Sequence, residues 1–224
     1  PSEPLFRDPF ERFCFLLERL EECGDLESST GGLTSQYRRQ AVEDSSQDDD
    51  DDAFGALLSG VRDAAAEVVV RDSSRLPLVL ERLQSGSDAR VWKTRLDLNL
   101  LRTSEPPARE QIRDRLLDRA LLAETDYFHE YRTLLRDRVG ILTSEEQERL
   151  LALLVEAPSV DRMLAARLRD EAETPSDAEV IEVRERIARD LLSLVSATLP
   201  PKYAALYDTL CERYGPAGHP EFLF

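Results

Sequence analysis

The sequence predicts an all-α protein, built as an irregular helical-repeat (α-solenoid-like) array or as a multi-helix bundle. Three observations lead there. From Ala53 to Tyr214 apolar residues recur at three- and four-residue spacing, segment after segment. The segments tend to open on capping residues or prolines and to close on Gly or Pro. Only 9 glycines occur in 224 residues, too few for a many-turned β-sandwich. Strand-like content is confined to Val68-Val69-Val70, at what reads as a helix end.

In order along the chain, Asp8-Pro9 opens a first helix, with Glu11 at capping-box spacing from Asp8. Phe10, Phe13, Cys14, Leu17 and Leu20 form its stripe, and Cys23-Gly24 is its expected stop. Ser28 to Gly32 has linker composition, and Asp48 to Asp52 is an acidic run. Phe54, Leu57, Leu58, Val61, Ala65 and Val68 mark the next helix, ending near Arg71. Leu76, Val79, Leu80 and Leu83 mark a short one. Val91 to Leu101 carries apolar residues on two faces, as a central helix would. Ile112, Leu116, Ala120 and Leu121 read as one helix after Pro106-Pro107, and Tyr127 to Val139 as another stopped by Gly140. Thr143 with Glu146 is a capping box for a helix ending at Ala157-Pro158. Val160 to Leu168 is a further turn set. Thr174-Pro175 with Asp177 starts a long helix through Val195, and Pro200-Pro201 starts the last, which Gly215-Pro216 closes. The domain reading is therefore an N-terminal helix at 1–24, a flexible acidic linker at 25–52, a helical array at 53–215, and a tail at 216–224 that continues in a longer protein.

Composition narrows the function classes. The chain is 42% hydrophobic, rich in Leu, and 33% charged, which suits charged helix faces around a leucine core better than disorder. Its net charge of −16 repels phosphate backbones, so general nucleic-acid binding is not expected. A nucleic-acid mimic would need carboxylates at phosphate-like spacing, whereas here the acids share helix faces with arginines. Cys14, Cys23 and Cys211 fit no C-x-x-C pattern and read as buried thiols in a reducing, cytoplasmic setting. No apolar run approaches the ~18 residues of a membrane span, and no signal peptide is visible. Pro1 in place of an initiator Met, and the apolar end Phe222-Leu223-Phe224, read as a fragment of a longer protein.

Motifs that carry chemistry fail one by one. Asp48, Asp50 and Asp52 mimic a calcium loop, but Ala53 and Ser59 stand where it needs Gly and Glu. His129 and His219 have no second ligand at zinc spacing. His129, among Tyr127, Phe128 and Tyr131, reads as the polar edge of a core. There is no G-x-x-x-x-G-K-[ST] and no G-x-S-x-G. Glu145 and Glu146, a pair of carboxylates, are explained by the dipole of the helix they open. No catalytic, cofactor-binding or metal-binding residue is assigned. The candidate interaction surface is the last helix and the chain end, namely Tyr203, Leu206, Tyr207, Leu210, Tyr214, Phe222 and Phe224. Its expected partner is another protein or the remaining domains of the same polypeptide, with weak self-association of the fragment.

One resemblance adds a setting. Tyr37 to Asp44, Asp52 to Leu57 and Val61 to Ala65 resemble a stretch of large bacterial ATP-binding proteins of the STAND type, linked to antiviral defence. Asp126-Tyr127-Phe128-His129-Glu130-Tyr131, Leu142 to Gln147, and Tyr203 to Phe222 are similar to the same region. In such proteins a nucleotide-binding or effector module precedes a helical, HEAT-like part that acts as sensor or scaffold. The resemblance implies a non-catalytic scaffold segment and carries over no catalytic residue. A free-standing acidic effector or nucleic-acid mimic, and an enzyme with an unrecognised site, stay open as alternatives.

Overall fold

The structure, a computed structural model, describes residues 9–28, 53–84, 91–157, 160 and 176–218. Among the described residues every regular element is helical and no strand occurs, so the chain is all-α, an array or bundle of helices. Two compact units divide it, Pro1–Ala108 and Arg109–Phe224.

The first unit contains α1 (Pro9–Ser28), α2 (Ala53–Arg71), α3 (Leu76–Gln84) and α4 (Val91–Thr103). Phe10, Cys14 and Leu17 fall at helical spacing on α1 and are buried, as are Leu58, Val61, Ala65 and Val69 on α2. The α1 and α2 helices pack on each other, and α4 contacts both α2 and α3. Gly60 lets the first pair close, because a Cβ there would sit 3.0 Å from Phe13 Cδ1 and Cε1. The α4 helix is the central one that its two apolar faces suggest, with Trp92, Leu96, Leu98, Leu100 and Leu101 all buried.

The second unit contains α5 (Arg109–Leu116), α6 (Arg119–Ala123), α7 (Phe128–Arg138), α8 (Ser144–Glu156), α9 (Asp177–Ser193) and α10 (Pro201–Tyr214). The α7 helix packs against α5 and α6, and α9 packs against α8 and α10. Ile112, Leu116, Leu134, Leu150, Leu154 and Leu191 are sealed from solvent. Tyr131 is equally buried and donates its hydroxyl to the carbonyl of Leu116 at 2.7 Å, which ties α7 to the end of α5.

Several boundaries differ from the sequence reading, each for a local reason. The α1 helix runs through Gly24 to Ser28, so residues 25–28 belong to it and not to a linker. A lone Gly costs a helix about 1 kcal/mol, and no proline follows to end it. Residues 29–52, with the rest of the expected acidic linker, lie outside the described residues, as does the turn set after Val160. The α1 helix lies in one unit with α2, α3 and α4, and the second unit begins at Arg109.

The single helix expected at 112–121 is two, because Asp118 is extended and its carboxylate accepts from the backbone N–H of Ala120 at 2.8 Å, capping α6. The α9 helix is capped by Ser176 with Glu179 in a reciprocal box, one step beyond the Thr174-Pro175 start, and it ends at Ser193 before a 3₁₀ turn over Ser196–Thr198. Gly140 lies within a 3₁₀ turn, Val139–Ile141, that follows α7. The Thr143–Glu146 box on α8 is present as read, and Ala157 closes that helix in the left-handed region at φ 47°.

Candidate interaction surface

The apolar stripe of α10 is divided by its packing. Tyr203 and Leu210 are buried, whereas Leu206, Tyr207 and Tyr214 are half-buried. Tyr203 and Leu210 are thus removed from the expected surface, because they form the seam that joins α10 to its own unit. Phe222 and Phe224 lie outside the described residues.

Polar bonds hold this helix along its length. Tyr203 donates its hydroxyl to Glu148 Oε1 of α8 at 3.1 Å, and Lys202 Nζ reaches the same oxygen at 3.5 Å. At the other end Glu185 of α9 accepts from Arg213 Nη1 at 2.6 Å and from the Tyr214 hydroxyl. These two bonds hold the Glu185 carboxyl below its usual pKa, the Tyr214 hydroxyl first. The Arg186 guanidinium lies 5.0 Å from the centre of the Tyr214 ring. Arg189 Nη1 then donates to the carbonyls of Tyr214 and Gly215 at 2.9 and 3.2 Å, capping the C-terminus of α10 with a positive charge.

Cys211 is half-buried, not packed away as its stripe suggested, since it follows the buried Leu210 and is turned about 100° around the helix from it. Cys14 is buried, and burial pushes its thiol up to about 12.

The first unit carries a junction that sequence reasoning missed. Glu18 of α1 accepts from Arg82 Nη1 at 3.0 Å and Nη2 at 3.1 Å on α3, and Lys93 Nζ on α4 approaches it at 2.7 Å. Arg82 Nε also bonds Glu11 Oε2 at 3.0 Å. Burial works to raise the Glu18 carboxyl, but the bonds from Arg82 and Lys93 outweigh it and lower its pKa. Beside the junction, Gln84 Nε2 donates to the buried Asp97 Oδ1 at 3.0 Å.

Large apolar side chains are exposed on several helices: Phe15 and Leu16 on α1, Val70 on α2 at 86% exposure, Leu78 on α3 and Ile181 on α9. Pro9, Ala64, Val68, Arg71 and Arg75 line a cleft of about 360 Å³ in the first unit. Its charges are largely spent on near neighbours, since Arg71 pairs with Glu67, and Asp72 accepts from the Ser74 hydroxyl and backbone.

Among the described residues no three His, Cys, Asp or Glu side chains gather as metal ligands would, and His129 is half-buried on α7. No described helix is long and apolar enough to cross a membrane. No family model, no curated protein and no solved structure matches the chain.

Proposed function

We propose that this chain is a non-catalytic helical scaffold or sensor segment, working through protein–protein contact within a larger bacterial ATPase-type assembly of the STAND kind, in a defence setting. One observation supports it most directly. The α10 helix is anchored from beneath by Tyr203 and Leu210 and bonded at both ends, while Leu206, Tyr207 and Tyr214 remain partly open. A rigid helix presenting tyrosines offers a large contact area at small entropic cost, the usual makeup of a binding hot spot. The partner is a protein, or another domain of the same polypeptide, and the reducing cytoplasm is the compartment this reading requires. The resemblance over Tyr37 to Phe222 supplies the setting.

Site-specific photocross-linking in the native host tests it. A benzoylphenylalanine at Tyr207 should give one discrete protein adduct, and the same probe at the exposed Asp208 should give markedly less. Equal, diffuse labelling at both positions refutes the surface. Saturable ATP binding by the purified chain refutes the non-catalytic role.

A further inference from the structure

Arg132 lies on α7 with only 8% of its surface exposed. Its Nε is buried and has no hydrogen-bond partner among the described residues. The guanidinium stacks on Phe128, one turn earlier, at 4.8 Å from the ring centre. A ring face attracts the charge but leaves the in-plane N–H groups unsatisfied, and those are the groups that fit a planar oxyanion.

The neighbouring charges do not complete it. Among the described residues the carboxylate in electrostatic reach is Asp190 of α9. Asp190 Oδ1 already accepts from Arg189 Nε at 2.9 Å and Nη2 at 2.6 Å. Arg132 and Arg189 therefore share the Asp190 carboxylate, and the hydrogen bonds to it go to Arg189. Glu130, two positions away on α7, points to another side of the helix, since residues at i and i+2 do not face each other. Burial correspondingly lowers the pKa of Arg132, and Asp190 offsets that only in part. In a chain with 45 acidic and 29 basic residues, a buried cation without an acceptor is costly to keep unless something supplies the missing anion.

We propose that Arg132, backed by Phe128, is the receptor for a single carboxylate from an acidic protein segment. A carboxylate is favoured over a phosphate because Asp190, in electrostatic reach of the same guanidinium, would repel a dianion more strongly than a monoanion. This site names a second contact for a protein partner and so rests on the scaffold reading, though it involves α7 and not the open face of α10.

The test is a titration of the full chain, at constant ionic strength, followed by the arginine Nε–H resonances. The probes are N-acetylaspartate, acetate, inorganic phosphate and chloride, and Arg132→Lys identifies the signal. N-acetylaspartate and acetate should shift the Arg132 resonance saturably and raise Tm, and chloride should do neither. Arg132→Lys, which keeps the charge but loses the planar fork, should weaken the acetate-induced Tm rise, with affinity falling about tenfold. If Arg132→Lys does not fold, Phe128→Leu serves as the second variant, keeping the guanidinium while removing its platform. A larger response to phosphate than to acetate overturns the carboxylate assignment, and no saturable shift with any anion overturns the site. Neither result bears on a cross-link formed at Tyr207, so failure of this site and failure of the scaffold reading are distinguishable.

Discussion

Replacing Glu18 with Gln should weaken the first unit more than any surface change of similar size. Glu18 has side-chain exposure of 20%, and Lys93 Nζ, 2.7 Å away, belongs to a side chain only 7% exposed. The amide keeps the shape and one acceptor but removes the charge that compensates two cations. Removing one partner of a buried ion pair costs about 3–5 kcal/mol, and the partial exposure of Glu18 places this case near 3 kcal/mol. Urea unfolding followed by tryptophan fluorescence reads it directly. The chain has a single Trp, Trp92, which is buried beside Lys93 and reports on this unit alone. Lys93→Met should be costly for the converse reason, and the pair Glu18→Leu with Lys93→Met should recover part of the loss.

Acid gives an independent check. The folded Glu18 carboxyl is held below its ordinary 4.5, so its contribution is complete above that pH and is lost as pH falls through the lower, folded value. Glu18→Gln should flatten that acid limb. A loss under about 1 kcal/mol, the level of an exposed pair, together with an unchanged acid limb, would refute the idea that Glu18 is the electrostatic centre of the unit.

Other outcomes follow from the same geometry. Gly60→Val places two methyl groups and a Cβ against the Phe13 ring and should destabilise by about 1–3 kcal/mol in thermal melts, with an unchanged Tm refuting the close approach. Thr143→Ala and Ser176→Ala should each cost about 1 kcal/mol by loss of the side-chain cap, measured by urea unfolding, and Thr143→Ser should restore most of it. In a Cys23→Ser background, maleimide at mildly alkaline pH should label half-buried Cys211 well before buried Cys14, whose thiolate burial suppresses. Equal rates would contradict that burial.

Helix positions were legible wherever a local signal sufficed. Thr143 and Glu146 lie three residues apart, so their box is readable without any tertiary knowledge, and Pro201 at the start of α10 is equally local. Asp118 was not, because an aspartate between Leu117 and Arg119 fits a helix interior as well as a cap, and only its extended backbone decides. The charged interior was invisible for another reason. Arg82 and Glu18 are 64 positions apart, and nothing in the periodicity of α4 separates the buried Lys93 and Asp97 from an ordinary solvated face. On α10 the apolar pattern marks a stripe but not its division, since burial of Tyr203 and partial openness of Tyr207 depend on where α8 and α9 lie. The two lysines of the chain both lie over aromatic rings, Lys93 over Trp92 and Lys202 over Tyr203, yet one is buried and the other exposed, so composition does not separate them.

The spacing of Glu11 and Glu18 has a consequence for how this chain can vary. The two acids lie seven residues apart, two turns of α1 along one face, and both bond the same arginine. Sliding α1 by one turn would carry each carboxylate about 5.4 Å from its donor, so the helix has one favoured setting on α3. That setting is written into α1 and α3 themselves and owes nothing to the length of the segment joining α1 to α2. Doubling a connecting segment costs only about 0.6 kcal/mol in closure entropy. An arginine lost at position 82 would leave the contact of Lys93 with Glu18 and the packing of α1 on α2 to hold that setting alone.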